Sequence, residues 1–170
     1  MKLKVRVNQA VLHLLGGAPE FYETSFHAMP NAFKELVDGR FMEVNGGILF
    51  ASFASAPISS ETYSALGDET GLECFFNKIH AEDFFEQAIG LTELARVGCD
   101  MAYYLSRALS YSGIQGSFRV IVSAQPADEE LAVPANGTLR FHKLRTGQAW
   151  IANDLEEYGS EAIAVLDSNF

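Results

Sequence analysis

Between residues 91 and 109, apolar side chains recur at Leu91, Leu94, Val97, Met101, Leu105 and Ala108 or Leu109. This three-and-four spacing lays one stripe along a helix. The stretch 81–113 contains no proline, and Gly113 supplies a C-terminal stop. Glu93, Arg96, Asp100 and Arg107 avoid the stripe. Arg96 and Asp100 form an i,i+4 pair of opposite sign, worth about 0.2–0.5 kcal/mol. Just upstream, Phe84, Phe85, Ala88 and Ile89 give a shorter helical piece its apolar face, and Glu82 and Asp83 suit its positive N-terminal end. Gly90 falls between the two pieces. Glycine costs about 1 kcal/mol inside a helix, so a break or kink is expected there, with Thr92 recapping the second piece.

Elsewhere the period changes to two. Lys2 to Val7 alternates so that Leu3, Val5 and Val7 share one face, which predicts a half-buried strand. Residues 9–15 are apolar enough to continue that strand or to form a short helix. Residues 41–44 lead through Asn45-Gly46-Gly47 into residues 48–53, rich in strand formers; Asn-Gly is the pair that a tight hairpin turn needs. Residues 72–79 read as a further strand, 117–124 as a strand for the middle of the sheet with a nearly continuous apolar centre, and 138–144 as one nearer an edge. Residues 161–166 form a final strand or, on the alternative reading, a helix. Short helices are expected over 32–37, capped by Asn31, and from Ser59 or Ser60 through Leu66, with a turn over 67–71. One polar helical turn over 153–158 ends at Gly159. Regular strand–helix–strand alternation is missing. The sum is an α+β fold, a largely antiparallel sheet with helices packed mainly on one face, expected as a single globular domain over 1–170.

With 170 residues, 48% apolar and 20% charged, the chain can bury one sizeable core, and global disorder is excluded. Charge changes the picture more. The net charge is −10, yet residues 1–50 are neutral, so the whole acidic excess lies after residue 50. Such a field disfavours nucleic acid and anionic membranes and attracts cationic surfaces. The two cysteines, Cys74 and Cys99, sit in apolar surroundings outside any Cys-x-x-Cys or Cys/His cluster, which reads as buried thiols in a reducing, cytoplasmic compartment. The basic residues ahead of positions 10–15 do not make a secretory signal: the apolar run is short, contains His13 and lacks a small-residue cleavage site. No run approaches the length of a membrane span.

Phosphate-binding glycine motifs, HExxH, GxSxG and EF-hand loops are all missing from the sequence, so no cofactor and no metal is expected. On a strand over 72–79, Cys74 and His80 would share a face about 20 Å apart, too far for a thiolate–imidazole pair. His80, with Glu82 and Asp83 beside it, and His27, near Glu20 and Glu23, are the candidate acid–base residues. Two acidic clusters remain: Asp128, Glu129 and Glu130 in a Pro-flanked loop, and Asp154, Glu156 and Glu157 beside Trp150 and Tyr158. Carboxylates speed association with a basic surface while aromatic anchors supply affinity. The expectation is therefore an acidic cytoplasmic protein-binding domain that masks a basic partner, as an inhibitor or an immunity-type antitoxin does against a toxin nuclease. The alternative is a small enzyme or ligand-binding domain with a pocket between the sheet and the 81–113 helices. Homo-oligomerisation is left open.

Overall fold

The computed structural model describes residues 2–21, 29–54 and 58–169. Its organising helix, α5, runs Leu91–Tyr111 and buries Leu94, Val97, Met101, Leu105 and Leu109 along the stripe read from the sequence. The stripe lies on a five-stranded antiparallel sheet made of β1 (Lys2–Val7), β4 (Ile79–His80), β5 (Phe118–Gln125), β6 (Asn136–Lys143) and β7 (Ala162–Asn169), in the order β1-β7-β5-β6-β4. β5 is central, as its apolar centre requires. Phe118, Val120, Val122 and Ala124 of β5, Leu139 and Phe141 of β6, and Ala162, Ala164 and Leu166 of β7 form the core beneath α5, with Leu3, Val5 and Val7 packed against it. Helix and sheet approach closely at Gly98, where an added Cβ would lie 2.7 Å from Val122 Cγ1.

Two shorter helices join α5 on that core: α1 (Gln9–Leu15) through Val11, and α2 (Asn31–Asp38) through Phe33 and Val37. The segment 9–15 turns helical because the Asn8 side chain accepts the Val11 N–H. Asn31 is the first residue inside α2 rather than its cap, and Pro30 precedes it without a side-chain hydrogen bond. The hairpin forms as read, β2 (Phe41–Val44) against β3 (Gly47–Phe50), although the chain turns after Phe50 instead of continuing as strand to 53.

Three expectations are corrected. Residues 72–78 are not a strand, and of the expected span only Ile79 is, as the start of β4. Helix α4 occupies Glu69–Phe76, following α3 (Ser60–Leu66), because the Asp68 carboxylate accepts the Gly71 N–H at 2.7 Å and starts a helix inside the expected turn. The helical piece before Gly90 shrinks to a single 3-10 turn, Ala81–Phe84, and Phe85 is already extended. The break at Gly90 stands, and Gly90 itself is the N-cap of α5, without side-chain help from Thr92.

α4 and the turn after it also finish the sheet. β6 pairs with two-residue β4 only at Thr138 and Leu139, which leaves most of its outer edge open to strand addition. Side chains close it: Glu82 accepts the Gly137 N–H, Asn77 donates to the Phe141 carbonyl and Glu73 accepts the Lys143 N–H. The same Glu73 accepts the Ile48 N–H, and the same Asn77 accepts the Phe50 N–H and donates to the Ile48 carbonyl. Four residues apart on one helix, Glu73 and Asn77 thus stand in for a missing strand between β3 and β6.

The opposite face of the sheet is covered by the connection between β6 and β7 and, beside Arg140, by Cys74 of α4. Strand register sets two rows across it, Lys4–Asp167–Arg119–His142 and Arg6–Val165–Ile121–Arg140. Ile151 and Leu155, from the connection between β6 and β7, pack with Ile121, Ile163 and Val165, and Tyr158 closes this small second core.

Candidate interaction surface

The loop between β5 and β6 carries the first acidic cluster, and its residues divide by role. Asp128 and Val133 exchange backbone hydrogen bonds of 2.9 Å in each direction, closing a tight loop. The Asp128 carboxylate accepts the N–H groups of Glu130 and Leu131 at 3.0 and 3.1 Å and so builds the turn from within. Glu129 and Glu130 accept no side-chain donor of the described residues, and Leu131 and Val133 beside them are 73% and 43% exposed. An open depression of about 720 Å³ is lined by this loop together with Gln125, Tyr158, Ser160 and Glu161. Glu161 takes a hydrogen bond from the Ser123 hydroxyl.

The second cluster divides in the same way. Asp154 accepts the Glu156 N–H at 3.1 Å and opens the 3-10 turn Leu155–Tyr158. Glu156 reaches the start of α1, where its two oxygens accept the Gln9 N–H at 3.0 and 3.3 Å and its charge faces the positive helix end. Glu157 has no such task and is exposed. Tyr158 buries its ring in the second core while its hydroxyl accepts the Ala152 N–H at 2.9 Å. The fold therefore brings Asp128, Glu129, Glu130 and Tyr158 to one depression and spends Asp154 and Glu156 on the backbone. Trp150 lies apart from that depression, 42% exposed, with the Arg140 guanidinium carbon 5.7 Å from its ring centroid.

His80 stands in β4 with Nδ1 3.1 Å from Glu82 Oε1, while the other oxygen of Glu82 holds the Gly137 N–H. That pair is part of the edge closure. His27 lies outside the described residues. Both cysteines are buried; burial pushes the Cys99 thiol up to about 12 and the Cys74 thiol higher still, so neither is a thiolate at neutral pH. Among the described residues no three His, Cys, Asp or Glu side chains gather as a metal-holding group, and no helix is long and apolar enough to cross a membrane.

Sequence reasoning missed Leu131 and Val133, which look like core residues until the Asp128 turn carries them outward, and it assigned no task to Arg140. It could not give Glu156 its partner, since Gln9 is 147 residues away in the chain.

The family model described as Uncharacterized protein PM0498 family matches residues 11–170. The chain belongs to that family. The match takes in α1 of this PM0498 family member from Val11 onward and every later element to β7, including both acidic clusters, Arg140 and Trp150; β1 and the start of α1 lie before it. No curated protein and no solved structure matches the chain.

Proposed function

We propose that this protein is a binding domain that recognises a basic protein partner through the acidic end of its sheet, in the manner of an inhibitor or antitoxin that masks a cationic surface such as that of a nucleic-acid-degrading toxin. One observation carries the reading: the carboxylates of Glu129, Glu130 and Glu157 have no partner among the described residues, and exposed Leu131 and Val133 stand on the same loop as the first two. Charge of this kind raises the rate of encounter with a basic surface, and apolar side chains at the centre of such a patch supply affinity once water is excluded. Asp128, Asp154 and Glu156 serve as scaffold for the surface rather than as contacts.

The test is capture on the immobilised protein from the lysate of its own host at low and at high salt, followed by identification of what is retained. The reading expects one basic protein held stoichiometrically, loosened by salt, and lost from the Glu129→Lys/Glu130→Lys variant while that variant keeps its far-UV spectrum. Retention that is indifferent to salt and to the charge reversal sinks the reading.

A further inference from the structure

Most arginines inside this fold have an oxygen acceptor, although Arg6 also keeps one buried terminal nitrogen without a partner. Arg6 donates to the Asn153 carbonyl, Arg96 to Glu93, Arg119 to both oxygens of Asp167, and Arg145 to Glu73 and the Gly46 carbonyl. Arg140, partly buried in the second row of the sheet face, donates to no oxygen of the described residues. Its Nε is shut off from solvent with no acceptor among the described residues. What it does touch is Trp150: the guanidinium carbon lies 5.7 Å from the ring centroid, and 42% of the tryptophan is exposed. Glu161 is its acidic neighbour, already engaged by the Ser123 hydroxyl, and Cys74 approaches from α4.

A guanidinium is a rigid fork matched to the two oxygens of a carboxylate or phosphate, and stacking on an aromatic ring orients the fork before a ligand arrives. Arg119 and Arg145 have carboxylate acceptors built in; Arg140 has no oxygen acceptor among the described residues and lies against the partly exposed indole of Trp150. We infer that Arg140 and Trp150 form a binding site for a small planar oxyanion, an aryl carboxylate or a nucleoside monophosphate. The charged end takes the free N–H groups of Arg140 and the ring stacks on Trp150. The inference does not rest on recognition by the acidic surface, although Glu161 borders both.

Trp150 is the sole tryptophan of the chain, so its emission reports directly on the site. The full chain is titrated separately with adenosine monophosphate, benzoate, adenosine and inorganic phosphate. A saturable change is expected with the monophosphate or with benzoate, and whichever binds more tightly identifies the source of the oxyanion. Adenosine and phosphate, each carrying half of the ligand, are expected to bind at least about tenfold more weakly. Arg140→Gln is expected to weaken binding by about tenfold or more, with Arg140→Lys in between, since it keeps the charge without the fork. Should Arg140→Gln fail to fold, Trp150→Phe replaces it, with binding followed by broadening of the ligand's own NMR lines; lost broadening supports the site. The inference is overturned by no saturable change with either planar anion up to about 10 mM, by inorganic phosphate binding as tightly as the monophosphate, or by unaltered affinity in the Arg140 or Trp150 variants.

Discussion

Glu73 shows how much one side chain can carry. It is fully buried, and its two oxygens accept the N–H groups of Ile48 and Lys143 and the guanidinium of Arg145. Removing one partner of such a set leaves a buried charge and orphaned backbone donors, so Glu73→Ala is expected to cost about 3–5 kcal/mol, read as a fall in the urea midpoint. Glu73→Gln/Arg145→Met, which removes both charges together, is expected to recover part of that loss. His142 makes a second prediction at this scale. It is fully buried; its Nδ1 lies 3.0 Å from the Lys143 carbonyl, which can only accept, so Nδ1 carries the hydrogen and Nε2 keeps a lone pair with no donor. Burial pushes its pKa from 6.5 down to about 4. Below pH 6.5 the unfolded chain therefore binds a proton that the folded one refuses, and the contribution of neutral His142, fully present above pH 6.5, is lost as the pH falls towards 4. The loss is about 3 kcal/mol at most. Urea unfolding of the wild type and of His142→Gln across this range checks it: the two curves should diverge on acidification, and parallel curves would refute the assignment. None of these partnerships was legible in the sequence. Glu73 meets its donors 25, 70 and 72 residues away, distances over which local pattern carries no information.

At the scale of elements, legibility followed the length and periodicity of each segment. The α5 stripe, the Asn-Gly hairpin and the apolar centre of β5 were all readable because each repeats one period over many residues or carries a turn pair with a single geometric use. α4 was not. Eight residues of mixed apolar character fit a buried strand as well as a helix, and only the Asp68 cap decides between them. Its Gly71, read as part of a turn, is there for packing: a Cβ at that position would fall 2.0 Å from the Leu66 carbonyl oxygen. Gly98 in α5 is a related case with a testable consequence. Helix propensity alone favours alanine there by about 1 kcal/mol. The Cβ would nevertheless strike Val122 in the middle of β5, and overpacking of that kind costs about 1–3 kcal/mol. Gly98→Ala is therefore expected to be neutral to destabilising, and Gly98→Ala/Val122→Ala to be less unstable than the sum of the two single changes. Strict additivity in thermal melts would mean that helix and sheet are not in contact at this point.

For the molecule as a whole, the distribution of charge matters more than its sum. The acidic excess begins after residue 50, while Lys4, Arg6, Arg119 and Arg140 gather on the face of the sheet away from α5. The two regions adjoin at Glu161, which is the acidic neighbour of Arg140 and also lines the depression beside Glu129 and Glu130. The sequence showed six carboxylates in two clusters as equivalents, and the fold separates them into two kinds. Reversing Glu129, Glu130 or Glu157 to lysine touches no internal hydrogen bond, so stability should change by less than about 0.5 kcal/mol, while salt-sensitive partner capture falls. Reversing Glu156 instead removes the acceptor of the Gln9 N–H and sets a positive charge against the positive end of α1. A loss of about 1–2 kcal/mol in folding stability is expected for Glu156→Lys. Thermal melts of the four variants, set beside their capture of the partner, separate surface from scaffold. If Glu129→Lys proved as unstable as Glu156→Lys, the free carboxylates would have structural tasks of their own, and the acidic end would lose its standing as a recognition surface.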